Sequence, residues 1–257
     1  MSQPPQHSQH PKDGTPSPAA LPDSSFLYEL KILYEQVGLG RQAINLKIEC
    51  IKDLNRTIDL LFEHLQESGN AALLEELCPY FGVIWPSARA LALYLTELGT
   101  ENLKGKSLLE VGCGLAIPSL AAGKLGARVT ATDFHPEVPR FLEKNIELNQ
   151  ISHLHFVQLD WRKETLPPAK YDWVIGSDIL YERQHPAWVA PVIARYLSDD
   201  GTAVITDPGR PYLQTFADEM KRFGFHNETL VRTVPCETAA DGKKDIFVLI
   251  LKRIQEA

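Results

Sequence analysis

The chain has 257 residues, and 44% of them are hydrophobic, enough to bury one sizeable core. Its 33 Asp and Glu outnumber 26 Lys and Arg, a formal net charge of -7, which argues against a general affinity for nucleic acid because phosphate binding needs clustered cations. No apolar run approaches the ~20 residues of a membrane span, the N-terminus lacks a signal peptide's apolar core, and Cys50, Cys78, Cys113 and Cys236 form no C-x-x-C pair, so a soluble cytoplasmic protein with free thiols is expected.

Residues 1–23, rich in Gln, Pro, Ser and His, carry too little apolar surface to offset ordering entropy and predict a disordered tail. Residues 24–80 predict a mainly helical extension. Ser24 and Ser25 offer a cap for a first helix through Phe26, Leu30, Leu33 and Val37. The alternation of Ile44, Leu46 and Ile48 then suggests a short strand. Ile51, Leu54, Ile58, Leu61 and Leu65 mark a second helix, Ala71 to Leu77 a short one, and Trp85-Pro86-Ser87 leads into another that stops at Gly99.

The remainder, within an α/β domain of residues 81–257, alternates strand and helix. Strands are predicted at Ser107–Val111, Ala127–Asp133, His155–Leu159, Trp173–Ser177, Thr202–Asp207, Glu228–Val234 and Ile246–Leu251, with helices near Pro118–Leu125, Glu137–Leu148, Ala187–Leu197 and Pro211–Phe223. Helices between short β-branched runs imply parallel strands covered on both faces, a Rossmann-like doubly wound sheet of seven strands. Only the loop Pro235 to Asp245 separates the last two strands, which suits an antiparallel hairpin at the edge.

Ligands of such sheets sit at the carboxyl ends of the strands. The first strand of the domain ends in Glu110-Val-Gly112-Cys-Gly114-Leu-Ala116, where two glycines let the turn tighten and backbone approach a ligand. The next strand ends at Asp133, whose carboxylate can accept hydrogen bonds from ribose hydroxyls or can cap the following helix. Strand, glycine turn, helix, strand and acid together point to a nucleoside. Ile117 stands where a dinucleotide site has its third Gly, which argues against NAD.

These residues resemble a known family. Glu110-Val-Gly-Cys-Gly-Leu-Ala116 is similar to the first motif of class I, seven-strand S-adenosylmethionine-dependent methyltransferases, with Ala116 where a third Gly is common. Gly82-Val-Ile-Trp85-Pro-Ser-Ala-Arg-Ala-Leu-Ala, Asp160-Trp161 and the D-x-x-Y segment Asp178-Ile-Leu-Tyr181-Glu182 resemble the family-16 branch, which is rich in protein-lysine methyltransferases. Asp207-Pro-Gly-Arg210-Pro resembles the segment after strand five of the electron-transfer-flavoprotein β-subunit type. The resemblance implies S-adenosylmethionine as cofactor. Gly112 and Gly114 would pass under its methionine part, Glu110 would orient its amine, and Asp133 would hold its ribose. Asp160 and Trp161 would flank adenine, and Trp85 would wall the pocket. Asp178, beside the cofactor, and Tyr181 would line the acceptor entrance as catalytic residues.

The implied reaction is transfer of methyl to an amine, a protein lysine, with a protein substrate and neither nucleic acid nor membrane as partner. Because Asp178 would favour the ammonium form, its use would be capture and aiming of the lysine, with the proton leaving to water. The rivals are N-methylation of a small, nicotinamide-like amine and a noncatalytic nucleoside-binding module. Core packing competes for Trp85, Trp161 and Tyr181, and a helix-start charge competes for Arg210. Cys113 lacks a base partner, His135 and His185 lack metal-ligand spacing and read as solvated loop residues, and Lys243 and Lys244 read as cover for a hairpin turn.

Overall fold

The computed structural model describes residues 27–255 apart from 39, 41, 42, 164, 165 and 168. The expected tail and the expected helix start at Ser24–Phe26 lie outside the described residues. The chain opens with a hairpin of β1 (Leu30–Val37) and β2 (Ile44–Ile51) in an unbroken antiparallel register, Leu30 opposite Ile51 and Val37 opposite Ile44. The helix expected through Leu30, Leu33 and Val37 is therefore a strand. Its helical spacing is overridden by the ladder to β2, whose alternate residues Leu46, Ile48 and Cys50 are buried. The far edge of β2 is paired by two buried amides. Asn145 exchanges hydrogen bonds with Glu49 N–H and C=O, and Asn149 does so with Lys47. The hairpin thus joins the main core through a helix.

Helix α1 (Leu54–Glu67) starts where Asp53 accepts the Arg56 N–H at 3.0 Å, and it buries Thr57, Leu61 and Leu65 one turn apart. A 3-10 turn and the short α2 (Leu74–Leu77) lead to α3 (Pro86–Leu98), which has Pro at its first position and Gly99 as its stop. After α4 (Thr100–Leu103) come β3 (Ser107–Val111), α5 (Ile117–Lys124), β4 (Arg128–Asp133), α6 (Val138–Asn149), β5 (Leu154–Gln158), β6 (Tyr171–Ser177), α7 (His185–Tyr196), β7 (Leu197–Asp207), α8 (Tyr212–Arg222), β8 (Phe225–Pro235) and β9 (Lys243–Arg253).

The main sheet has the order β5-β4-β3-β6-β7-β9-β8. All its pairs are parallel except β7–β9 and β9–β8, so β9 is the antiparallel strand expected near the edge. Strand alternation sorts the two faces. Leu108, Val204 and Val248 join the core layer that holds Leu91 of α3, Leu120 of α5 and Phe141 of α6. Their neighbours Leu109, Ile205 and Leu249 join the layer of Val189, Ile193 and Phe216 from α7 and α8. The strand order reverses between β3 and β6, and such a switch point is where an open α/β sheet leaves a crevice. Among the described residues no helix is long and apolar enough to cross a membrane.

Candidate active site

The crevice lies between the turn after β3 and the residues after β6. Gly112 (φ 67°) and Gly114 (φ 51°) both take the left-handed conformation. A Cβ on Gly112 would come 2.8 Å from Ile179 and 3.0 Å from Trp161, and one on Gly114 would press on the Phe81 carbonyl oxygen at 3.1 Å. Ala116 also has positive φ (57°). Two carboxylates brace the turn. Asp133 accepts the Gly114 N–H at 2.9 Å and the His135 N–H at 3.0 Å, and burial raises its pKa against those bonds. Glu110 is fully buried. Its Oε2 accepts the Ser119 N–H and hydroxyl, while Oε1 has no partner among the described residues, and burial pushes the carboxyl up to about 8.

Trp161 packs over Gly112, and its buried Nε1 likewise finds no partner among the described residues. Asp160 is held by the Arg162 N–H (3.0 Å) and guanidinium (2.8 and 2.9 Å); burial is outweighed by these bonds and its pKa falls. The same guanidinium lies over the Phe134 ring at 4.9 Å and 3.6 Å from Glu76.

His135 and His185 are buried, not solvated. His135 donates from Nε2 to the Leu77 carbonyl and accepts the Glu137 N–H at Nδ1, both at 3.2 Å, so it is neutral, and burial lowers its pKa to about 4. Its ring lies 4.3 Å from that of Phe81. Together these contacts fasten the end of the N-terminal extension over the glycine turn. His185 donates to the Ile179 carbonyl at 2.8 Å and carries the edges of Trp161 and Tyr181 at 5.3 and 4.4 Å.

On the other side of the switch point, Asp178 follows β6 with φ 62°, held by its N–H to the Thr206 carbonyl at 2.9 Å. Its carboxylate is bonded to the Arg210 guanidinium, which also reaches Asp207 at 3.1 Å. Trp85, Pro86, Asp178, Pro208, Arg210, Cys236, Thr238 and Lys244 enclose a cavity of ≈ 90 Å³. Trp85 donates from Nε1 to the Tyr80 carbonyl at 2.9 Å. Tyr181 is half exposed, and burial of its phenol group raises its pKa to about 12. One ion cluster steadies this end from behind. Arg89 of α3, itself buried, binds Glu35 of β1 at 2.7 Å and Glu237 of the β8–β9 loop at 2.6 Å, and donates to the Pro235 carbonyl.

The family model for lysine methyltransferases matches residues 76–222, more than half of the chain. The chain belongs to that family. Among curated relatives of this chain, the histone-arginine methyltransferase METTL23 of Rattus norvegicus is 36% identical over 137 residues, which cover 48% of this chain and 60% of the relative. The protein N-lysine methyltransferase METTL21A of Mus musculus is 29% identical over 153 residues, covering 57% and 64%. The chain thus spans less than two thirds of the length of either. Of solved structures, a 16S rRNA methyltransferase of T. thermophilus in complex with AdoMet and guanosine matches with a TM-score of 0.58 at 15% identity, over 88% of this chain and 51% of that one, a likeness of fold.

The family member's expected site residues fall into two groups. Glu110, Gly112, Gly114, Asp133, Asp160 and Trp161 gather at the ends of β3, β4 and β5. Trp85 and Asp178 meet at the cavity, and Tyr181 packs against His185 outside its lining. Sequence reasoning missed Phe81, Arg89, Cys236 and Thr238, and took Lys244 for cover although it lines the cavity. No local pattern marks them, since each is brought in by tertiary packing. Among the described residues no group of His, Cys, Asp and Glu is arranged to hold a metal ion.

Proposed function

We propose that the protein transfers a methyl group from S-adenosylmethionine to an amine nitrogen, that of a protein lysine side chain. The observation that carries the cofactor is that two buried atoms beside the glycine turn, Glu110 Oε1 and Trp161 Nε1, have no hydrogen-bond partner among the described residues. A buried polar group left unpaired is costly, and a ligand with an ammonium group and a polar base supplies both partners. The residues fit the group. Glu110 would face its amine, Gly112 and Gly114 would line its chain, Asp133 would add ribose hydroxyls to the two N–H groups it holds, and Asp160 and Trp161 would border its adenine. When bound, it supplies a methyl on a positively charged sulfur, which an amine lone pair takes as the C–S bond breaks, leaving a methylated ammonium and a neutral thioether.

The chain's own part is to position and to control protons. A lysine has an ordinary pKa of ~10.4, so removing its proton at pH 7 costs roughly 4.6 kcal/mol. Asp178 and Trp85 line the cavity that would receive the acceptor, and Tyr181 would stand at its entrance. A phenol raised to about 12 stays protonated, so Tyr181 serves as a hydrogen-bond donor and not as a base. The proton leaves to solvent.

An arginine acceptor is the second reading, favoured by the likeness to a histone-arginine methyltransferase and by the guanidinium that Asp178 already accommodates. One experiment separates the readings. Purified protein and labelled S-adenosylmethionine are added to lysate of cells lacking it, and labelled protein is hydrolysed to amino acids. Methyllysine is expected. Methylarginine alone would replace lysine by arginine, label confined to small molecules would favour the small-amine rival, and no transfer would leave a nucleoside-binding module.

A further inference from the structure

Arg210 lies at the acceptor end, and its place is fixed with unusual thoroughness for a residue that is only partly buried. Asp207, fully buried, accepts the Gly209 N–H at 2.7 Å and the Arg210 N–H at 2.6 Å, which closes the turn after β7. Gly209 sits at φ 89°, where a Cβ would come 2.8 Å from the Phe247 ring. The guanidinium is thereby delivered between two carboxylates, those of Asp207 and Asp178. Asp178 itself occupies a left-handed conformation, and its N–H is bonded to the Thr206 carbonyl, so both ends of the pair are held in place by backbone.

The charges that face Asp178 come from two strand ends. Asp207 ends β7 and Arg210 follows it, Lys244 is the second residue of β9 and lines the same cavity, and at the start of α3 Trp85 and Pro86 bring no charge. The remaining titratable group there is the Cys236 thiol of the β8–β9 loop, whose pKa the Thr238 hydroxyl lowers. Two carboxylates thus face two cations. This balance bears on the reaction, because an ammonium has no lone pair. A bare carboxylate within about 4–6 Å raises an amine's pKa by roughly 1–3 units and so works against the nucleophile. A carboxylate already satisfied by a guanidinium still offers oxygen lone pairs for aiming, without that penalty.

We propose that Arg210 is the internal counter-cation of Asp178, a positioning residue that lets the acceptor end receive lysine as its neutral amine instead of holding it as ammonium. The inference rests on the lysine reading above. The lysine proton goes to solvent water before attack, and no group of the chain need keep it.

The test begins with the wild-type chain and the acceptor peptide located by the lysate labelling. If the wild type places no methyl on lysine, the lysine reading fails before Arg210 is touched. Arg210→Gln and Arg210→Lys are then assayed in single turnover from pH 6 to 9.5 with saturating cofactor and peptide, after melting and cofactor-binding checks of folding. Neutral amine is the nucleophile, so rates rise with pH. In Arg210→Gln the midpoint should move up by about one unit or more, and Arg210→Lys should restore it. A rate lowered by one factor at every pH would mean a structural role, and a raised KM with an unmoved midpoint would mean a docking cation; either overturns the proposal. A second readout needs no turnover. In the cofactor-free protein, n-butylammonium, a bare lysine side-chain cation, should bind Arg210→Gln about tenfold tighter than wild type, the affinity ratio that a one-unit shift demands. Equal affinity for the two proteins overturns it as well.

Discussion

The two halves of the strand edge are built on opposite electrostatic plans. Over β3, β4 and β5 buried polar atoms have no partner among the described residues. Glu110 is driven to hold its proton, and Trp161 Nε1 bonds to nothing described. Over β6, β7 and β9 the charged groups around the cavity are paired instead, although Ser87 Oγ and Arg253 Nε on that side also lack a hydrogen-bond partner among the described residues. Asp178, Arg210 and Asp207 satisfy one another, and Lys244 completes the balance. The first half is unfinished until a ligand arrives, and the second is finished before one does. A tightly held cofactor suits the first plan, since its groups become permanent partners. A macromolecular acceptor that must leave after each turnover suits the second, because little unsatisfied polarity is exposed when it goes.

The largest effect should come from the unfinished half. The folded-state pKa of Glu110, about 8, lies above its unfolded value of 4.5, so its contribution to stability is full below pH 4.5 and is lost as pH rises through about 8. Against Glu110→Gln, the cofactor-free wild type should lose unfolding free energy over that window, on the order of a few kcal/mol. The comparison with Gln is needed because His135 has the opposite sign. Its pKa of about 4 in the fold means stability that is present above 6.5 and lost as pH falls through 4. Urea titrations of both proteins at pH 5, 6, 7 and 8 measure the difference, and parallel pH curves would show that Glu110 is not buried as a neutral acid. Affinity for S-adenosylmethionine should rise over the same window, as Glu110 ionises toward the ligand's ammonium.

In the finished half, Asp178→Ala strands Arg210 and removes the aim of the acceptor. Methyl transfer in single turnover should fall at least ~10²-fold, the loss expected when a reacting group is misplaced by about 1 Å. Cofactor affinity, measured by calorimetry, should stay within a few-fold. Loss of cofactor binding instead would mean that the two halves are not separable. The converse change, Asp133→Ala, should weaken S-adenosylmethionine by about 1.5–3 kcal/mol, roughly 10–150-fold, since charge-assisted bonds to ribose are lost. Unchanged affinity would remove Asp133 from the ribose site.

The same contrast explains what could be read from the sequence. The unfinished half is local. Glu110, Gly112, Gly114 and Asp133 lie on one strand–turn–helix–strand unit, where each residue type is dictated by its immediate backbone, and the short β-branched runs of β3, β4, β6 and β7, separated by helices, announced the sheet. The finished half joins Trp85, Asp178, Arg210, Cys236 and Lys244, whose meeting depends on the whole sheet having formed. Arg210 was visible as a residue, but its partner was not. The first strand was missed for a related reason. Leu30, Leu33 and Val37 fit a helix locally, and only pairing with β2, itself tied to Asn145 and Asn149 of α6, makes Leu30–Val37 extended. Burial of His135 and His185 likewise follows from Leu77 and Ile179 carbonyls that no spacing rule brings near.

The smallest expected effect concerns Tyr181, which stands at the border of the two halves. Its ring is set edge-on against His185, whose opposite contact is Trp161 over the glycine turn, so the ring connects the acceptor mouth to the cofactor wall by packing. Its hydroxyl is a separate matter. With a pKa raised to about 12 it remains a donor throughout the working range, and its half exposure leaves water to compete for that bond. Tyr181→Phe keeps the ring and removes the donor, so it should lower single-turnover methylation by no more than roughly the 2–10-fold of one ordinary hydrogen bond. Tyr181→Ala also removes the support of His185, and should lose more and weaken cofactor binding through Trp161. If Phe is as poor as Ala, the hydroxyl acts on the acceptor directly. If Ala is as good as Phe, the ring carries nothing between the halves, and the packing route from Trp161 to the acceptor mouth is refuted.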